Sequence, residues 1–147
     1  MNANVTFLIQ LLATWYMVGL IWMVQIVHYP LMGRVGEESF ARYEAEHSHK
    51  ITPIVGAPML VELVTAAWML FAPPPTLPRW VAVVGLTLLV LIWLSTAFIQ
   101  VPCHQRLAAG FDAAAHQTLV RSNWLRTAMW TVRGVLLAYF AARLFNR

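Results

Sequence analysis

The sequence predicts an all-α integral membrane protein, a four-helix bundle forming one domain over residues 1–147. Three observations carry this. First, four apolar stretches, Val5–Val27, Pro53–Phe71, Trp80–Val101 and Trp124–Phe145, are 19 to 23 residues long. A helix of that length crosses a hydrocarbon core of roughly 30 Å. Second, 60% of the residues are apolar and 11% charged, more apolar surface than a soluble chain of this size needs. Third, all five histidines and five of the six acids lie between the first and second stretches or between the third and fourth. If every stretch spans, these two segments share one membrane face.

The first stretch lacks a basic flank and a small-x-small cleavage site, so it reads as a retained helix rather than a signal peptide. The segment after it is too long for a simple turn. Gly36 and Glu37 precede Glu38–Lys50, where Phe40, Tyr43 and His47 recur at helical spacing. This predicts a short separate helix lying at the interface. Pro53 suits the start of the second span. Pro58, inside it, should kink the helix or free a carbonyl that a neighbour must satisfy.

Pro73-Pro74-Pro75 and Pro78 make a stiff connection, so the second and third spans should be antiparallel neighbours. Pro102 is expected to end the third helix. Asp112 suits the N-cap of a helix over Ala113–Arg121 that runs into the fourth span.

Charge gives an orientation. The histidine-bearing segments hold Arg34, Arg42, Lys50, Arg106 and Arg121, whereas the other face holds Arg79, Arg143 and Arg147. The positive-inside rule then puts the histidine face in the cytoplasm and both termini outside, in a multi-pass cell-membrane protein. The net charge of +4 is dispersed over loops and carries no nucleic-acid signal. The single cysteine, Cys103, excludes an intramolecular disulfide.

Several residues have the chemistry of a site. Glu62 lies nine residues past Pro53, about 13 Å into the helix. A lone carboxylate there needs a partner or a proton. Arg133 is nine residues past Trp124, at matching depth from the same face. A buried Glu62–Arg133 pair is one reading; a metal ligand or proton relay at Glu62 is the other. Asn123, Arg126, Trp130 and Arg133 recur at three- and four-residue steps, so they share a helix face. That face suits an anionic or phenolate-like group, with Arg133 and Trp130 as cofactor-binding candidates. The bland alternative for Arg126 is snorkelling to lipid phosphate.

Gln25 with His28, and Gln100 with His104, meet the membrane boundary at one level. Glu44-x-x-His47 and Glu46-x-x-His49 repeat the spacing used by carboxylate-bridged metal bundles. Asp112 and His116 form another possible pair. The candidate metal ligands are His28, His47, His49, Glu62 and His104, a donor set that suits iron, copper, zinc or manganese. The bland reading is that each histidine bonds a local carbonyl or water. Cys103 is either a soft ligand or a small packed residue.

Val101-Pro102-Cys103-His104-Gln105-Arg106-Leu107, followed by Asn123-Trp124-Leu125-Arg126-Thr127, resembles the pattern V-P-x-N-x-R-L … N-x-x-R-T of the small membrane proteins related to anthrone oxygenases. The resemblance spans the last third of the chain. It implies a four-helix membrane bundle and oxidation of a polycyclic phenolic substrate by dioxygen. Asn123, Arg126 and Thr127 match the pattern, while His104 stands where the family carries Asn.

The sequence therefore points to a membrane oxidoreductase or oxygenase, metal-dependent, acting on a lipophilic or aromatic molecule. Arg126 and Asn123 would orient the substrate or stabilise an oxyanion. Two rivals remain. One is a haem protein with His28 and His104 as axial ligands. The other is a non-catalytic transporter or assembly subunit with Glu62–Arg133 as a structural lock. Four helices make a narrow bundle, so transport would require a homo-oligomer.

Overall fold

The computed structural model describes residues 2–75 and 77–145, and all regular structure in them is helical. Four long helices follow one another: α1 (Ala3–Met32), α2 (Glu37–Phe71), α3 (Arg79–Leu107) and α4 (Ala113–Phe145). The first three are long and apolar enough to cross a membrane. Arg147, counted above with Arg79 and Arg143, lies outside the described residues.

The helices are longer than the apolar stretches that seed them, and two expectations fail for that reason. The expected interfacial helix is not separate. Glu38–Lys50 forms the first turns of the 35-residue α2, so Pro53 lies inside this helix and does not begin it. A helix already running tolerates the missing N–H when the freed carbonyl finds another partner. At Pro58 the freed carbonyl is that of Ile54, and the Tyr16 hydroxyl of α1 donates to it at 3.5 Å.

Nor does Pro102 end the third helix. The chain widens into a π-helical stretch over Thr96–Gln100 and continues as α-helix to Leu107. The same happens in α1, where Val24–His28 is π-helical and Pro30 follows. The physical reason is shared. A proline removes the hydrogen bond to the carbonyl four residues back and its ring crowds that carbonyl. Slipping the register by one residue relieves both. Thus the Tyr29 N–H bonds to the Val24 carbonyl, and the Val101 N–H to the Thr96 carbonyl. π segments of this kind occur often at functional sites because they re-aim side chains.

Local caps fix the ends. The Asn2 side chain accepts from the Asn4 N–H at 2.9 Å, and Asp112 accepts from the Ala114 and Ala115 N–H groups at 2.9 and 3.0 Å. Asp112 is thus the expected cap, and the helix it starts does run on through the fourth apolar stretch. His116 does not pair with the Asp112 side chain. Its Nε2 donates instead to the Tyr29 carbonyl at 2.8 Å. Gly33 is required beside it, since a Cβ there would stand 2.8 Å from the His116 ring.

α1 packs on α2 and α4, and α3 packs on the same two, so α1 and α3 are diagonal. α2 and α3 are antiparallel neighbours as expected. Met69 clusters with Val81 and Ala82 at one end, while Glu44 meets His104 at the other. The bundle exposes large apolar side chains and buries polar ones among its apolar core. Leu12, Val64, Phe71 and Phe98 are exposed, whereas Gln10, Thr14, Glu62, Asn123 and Arg133 are buried.

Candidate functional site

The π segment of α1 delivers His28, α2 delivers Glu44 and His47, and the turns after the π segment of α3 deliver His104. These side chains meet. The His28 and His47 rings stack with centroids 4.3 Å apart, and His47 lies 5.6 Å from His104. Tyr43 stacks on the outer side of this group. His104 Nδ1 is 2.6 Å from Glu44 Oε1. An ionised carboxylate only accepts, so Nδ1 carries the proton and Nε2 keeps its lone pair. Nε2 in turn accepts from the Tyr29 hydroxyl at 3.2 Å.

Glu44 is fully buried; Ser48 donates to its Oε1, and its Oε2 has no partner. The buried Nε2 of His28 also lacks a partner.

Below the histidines is a cavity of about 230 Å³. Met17, Ile21 and Val24 of α1 with Val55 and Met59 of α2 give it an apolar wall. Tyr29, His47, Gln100, His104 and Arg126 supply its polar lining. Arg126 is only 5% exposed. Its Nη1 donates to Asn123 Oδ1 at 3.2 Å, its guanidinium lies over the Trp130 ring at 5.2 Å, and it stands beside the Tyr29 phenol. Its Nε has no hydrogen-bond partner, and no carboxylate pairs with it among the described residues. Asn123 is itself held by Gln25 of the first π segment, at 2.9 Å. Arg126 therefore turns inward and does not snorkel.

A second polar group sits deeper. Glu62 accepts from Arg133 at 2.5 Å, Thr14 at 2.7 Å and Trp130 at 3.0 Å. Gln10 donates to Thr14 and accepts from Thr65. The Glu62–Arg133 pair is thus present, joined by Gln10 and Thr14 of a polar stripe on α1 that the apolar run concealed.

The expected metal set divides accordingly. His28, His47 and His104 come together. His49 is exposed, and Glu62 is 15 residues along α2 from His47, about 22 Å at 1.5 Å per residue, in the Arg133 network. The polar ends of Trp130 and Arg133 serve that network too. As placed, no three His, Cys, Asp or Glu side chains among the described residues are arranged to hold a metal ion. Cys103 packs among Val24, Phe40 and Leu107.

Two residues of the site escaped sequence reasoning. Glu44 stood out only through its spacing to His47, yet it serves His104 of another helix. Tyr29 gave no signal except its place before Pro30. No family model, curated protein or solved structure matches the chain, so the likeness to the anthrone oxygenase relatives rests on the motif residues quoted above.

Proposed function

We propose that this protein is an integral membrane oxidoreductase that binds a lipophilic, weakly acidic aromatic molecule in the central cavity. The observation that carries the reading is Arg126. A buried cation without a counter-ion is costly, by several kcal/mol in a dry interior, and this one borders an apolar cavity. A bound phenolate or enolate supplies the missing charge. Across the cavity, Glu44 backs His104 at Nδ1 and the Tyr29 hydroxyl donates to its Nε2; once that hydroxyl turns aside, Nε2 takes the substrate proton as a general base held in one tautomer. Arg126 then stabilises the anion that proton removal leaves.

With the resemblance to anthrone oxygenases, the reaction is oxidation of a ring methylene to a carbonyl by one dioxygen. One oxygen atom stays on carbon; the other leaves as water with the two hydrogens removed. The outer face supports a lipid environment, since exposed leucine, valine and phenylalanine around a core that buries Glu62, Arg126 and Arg133 suit hydrocarbon, not water.

The test uses the detergent-purified chain, with 2-naphthol for binding and oxygen uptake with anthrone for turnover. Binding should weaken about 10- to 100-fold in Arg126→Met, the loss expected for a charged hydrogen bond, with helix content unchanged. Equal binding by the variant, or no binding and no oxygen uptake by the wild type, sinks the reading.

A second reading keeps a metal, and the unpartnered His28 Nε2 and Glu44 Oε2 favour it. Three imidazoles from three helices, with a carboxylate behind His104, would offer nitrogen donors to a borderline divalent ion if their rings turned out of the observed stack. Such an ion would supply a Lewis-acid or redox centre for dioxygen. His28 and His104 would then be ligands, and elemental analysis should find about one metal per chain that His28→Ala removes. Metal-free protein with full oxygen uptake excludes this version. For haem, the His47 ring packed against both His28 and His104 would have to move aside; absence of a Soret band on the purified protein rejects it.

Orientation follows the arginine distribution. A C-terminal reporter active only outside the cytoplasm should give signal, and one active only inside should be silent. The reverse pattern inverts the topology while leaving the site intact.

A further inference from the structure

Helices α2 and α3 touch at both ends but part in the middle. At one end Met69 clusters with Val81 and Ala82, and at the other Glu44 holds His104. Between them, α2 does not approach the π segment Thr96–Gln100. The cavity lies at this gap, edged by Ile51, Thr52, Val55 and Gly56 of α2 and by Thr96 and Val101 of α3. Thr52 and Val101 are exposed, so the rim reaches the outer surface of the bundle. The space beside Gly56 is open, since a Cβ placed there would meet nothing within 4 Å.

The α2 side of the gap also carries two breaks in its hydrogen-bond ladder. Pro53 and Pro58 lie within it, and each removes a helical hydrogen bond. The Ile54 carbonyl freed by Pro58 has only the long Tyr16 contact. On the α3 side, the π segment has the register slip that Pro102 imposes. Both edges can therefore shift by small rotations without breaking a regular ladder.

A different opening leads to water. A groove lined by His28, Tyr43, Glu46 and Lys50 shares only His47 and Ile51 with the cavity. Its charged rim is unsuited to an apolar ligand, and the imidazole and Ile51 partition the two spaces.

We infer that the gap between α2 and α3 is a lateral gate through which the ligand enters the cavity from the bilayer. The ligand class follows from the two ends of the route: an apolar, ring-containing body that dissolves in lipid and crosses the Val55–Val101 rim, with one acidic oxygen that stops at Arg126. This rests on the membrane and binding reading above, so the test separates the two.

The full chain in lipid nanodiscs is mixed with 2-naphthol, which partitions into lipid, and with 2-naphthol-6-sulfonate, which does not. Quenching of tryptophan fluorescence, in which Trp93 of the cavity wall takes part, reports arrival. Gly56→Leu and Thr52→Trp crowd the rim from two positions. Each should slow 2-naphthol binding at least tenfold while leaving helix content unchanged, and the sulfonate should bind poorly to every form. Glu46→Trp, in the aqueous groove, should leave the naphthol rate unaltered.

If wild type binds and both rim variants bind at its rate, the gate is wrong although the cavity reading survives. The gate is equally wrong if only Glu46→Trp slows binding, or if the sulfonate arrives as fast as 2-naphthol. If wild type fails to bind 2-naphthol at all, the binding reading itself falls.

Discussion

Arg133→Met is expected to destabilise the protein by on the order of 3–5 kcal/mol, because it strands the Glu62 carboxylate in the core. Glu62 is fully buried, and its acceptor capacity is used by Arg133, Thr14 and Trp130. Removing the cation leaves the two neutral donors to hold a charge that has no water. Glu62→Leu alone strands the guanidinium in the same way, and its Nε already lacks a partner. The double variant should recover much of the loss, since two apolar side chains of similar volume avoid both desolvation costs. Unfolding of the detergent-solubilised chain followed by circular dichroism gives the comparison. Two harmless single substitutions would mean that the pair is not a lock. A double variant as damaged as the sum of the singles would mean that the two act independently.

His104→Ala is expected to lower oxygen uptake with anthrone by about 10²- to 10⁴-fold, the usual contribution of a positioned general base. Glu44→Gln should cost less, about 10- to 100-fold, as is typical when a residue behind a functional histidine is lost. The reason is geometric. Glu44 Oε1 lies 2.6 Å from His104 Nδ1, so an amide can keep the contact but not the same preference for the tautomer. The affinity for 2-naphthol should change little in Glu44→Gln, because Arg126 carries the binding. A fall in affinity with turnover of bound substrate unchanged would make the pair a binding element. Turnover unaltered in both variants would make it structural.

The two effects come from separate layers of one bundle. Arg126 touches both, through Asn123 to Gln25 on the histidine side and over Trp130 to Glu62 on the other. The polar groups of this core fix the helices as well as the site. Gln25 and Gln100 illustrate this. Each belongs to a π segment, and each reaches α4, at Asn123 and Ser122. The residues that widen α1 and α3 are thereby anchored to the helix that carries the arginines.

The sequence alone determined the helical class and the four apolar stretches, and offered the pairing of Glu62 with Arg133 as one of two readings. Length and composition control the first two, and matched depth with opposite charge controls the third. It also determined that His28 and His104 would share one level, because each follows an apolar run that ends at the same face. Only the tertiary structure decided which other groups join them. His47 and His49 are two residues apart on α2, so the phase of that helix turns His47 inward and His49 to the outside. That phase is set by a helix continuous from Glu37 through two prolines, which local propensity does not predict. Glu44 reaches His104 because α2 and α3 converge at that end, and Glu62 is withdrawn from the histidines because a rigid helix cannot bring together residues about four turns apart.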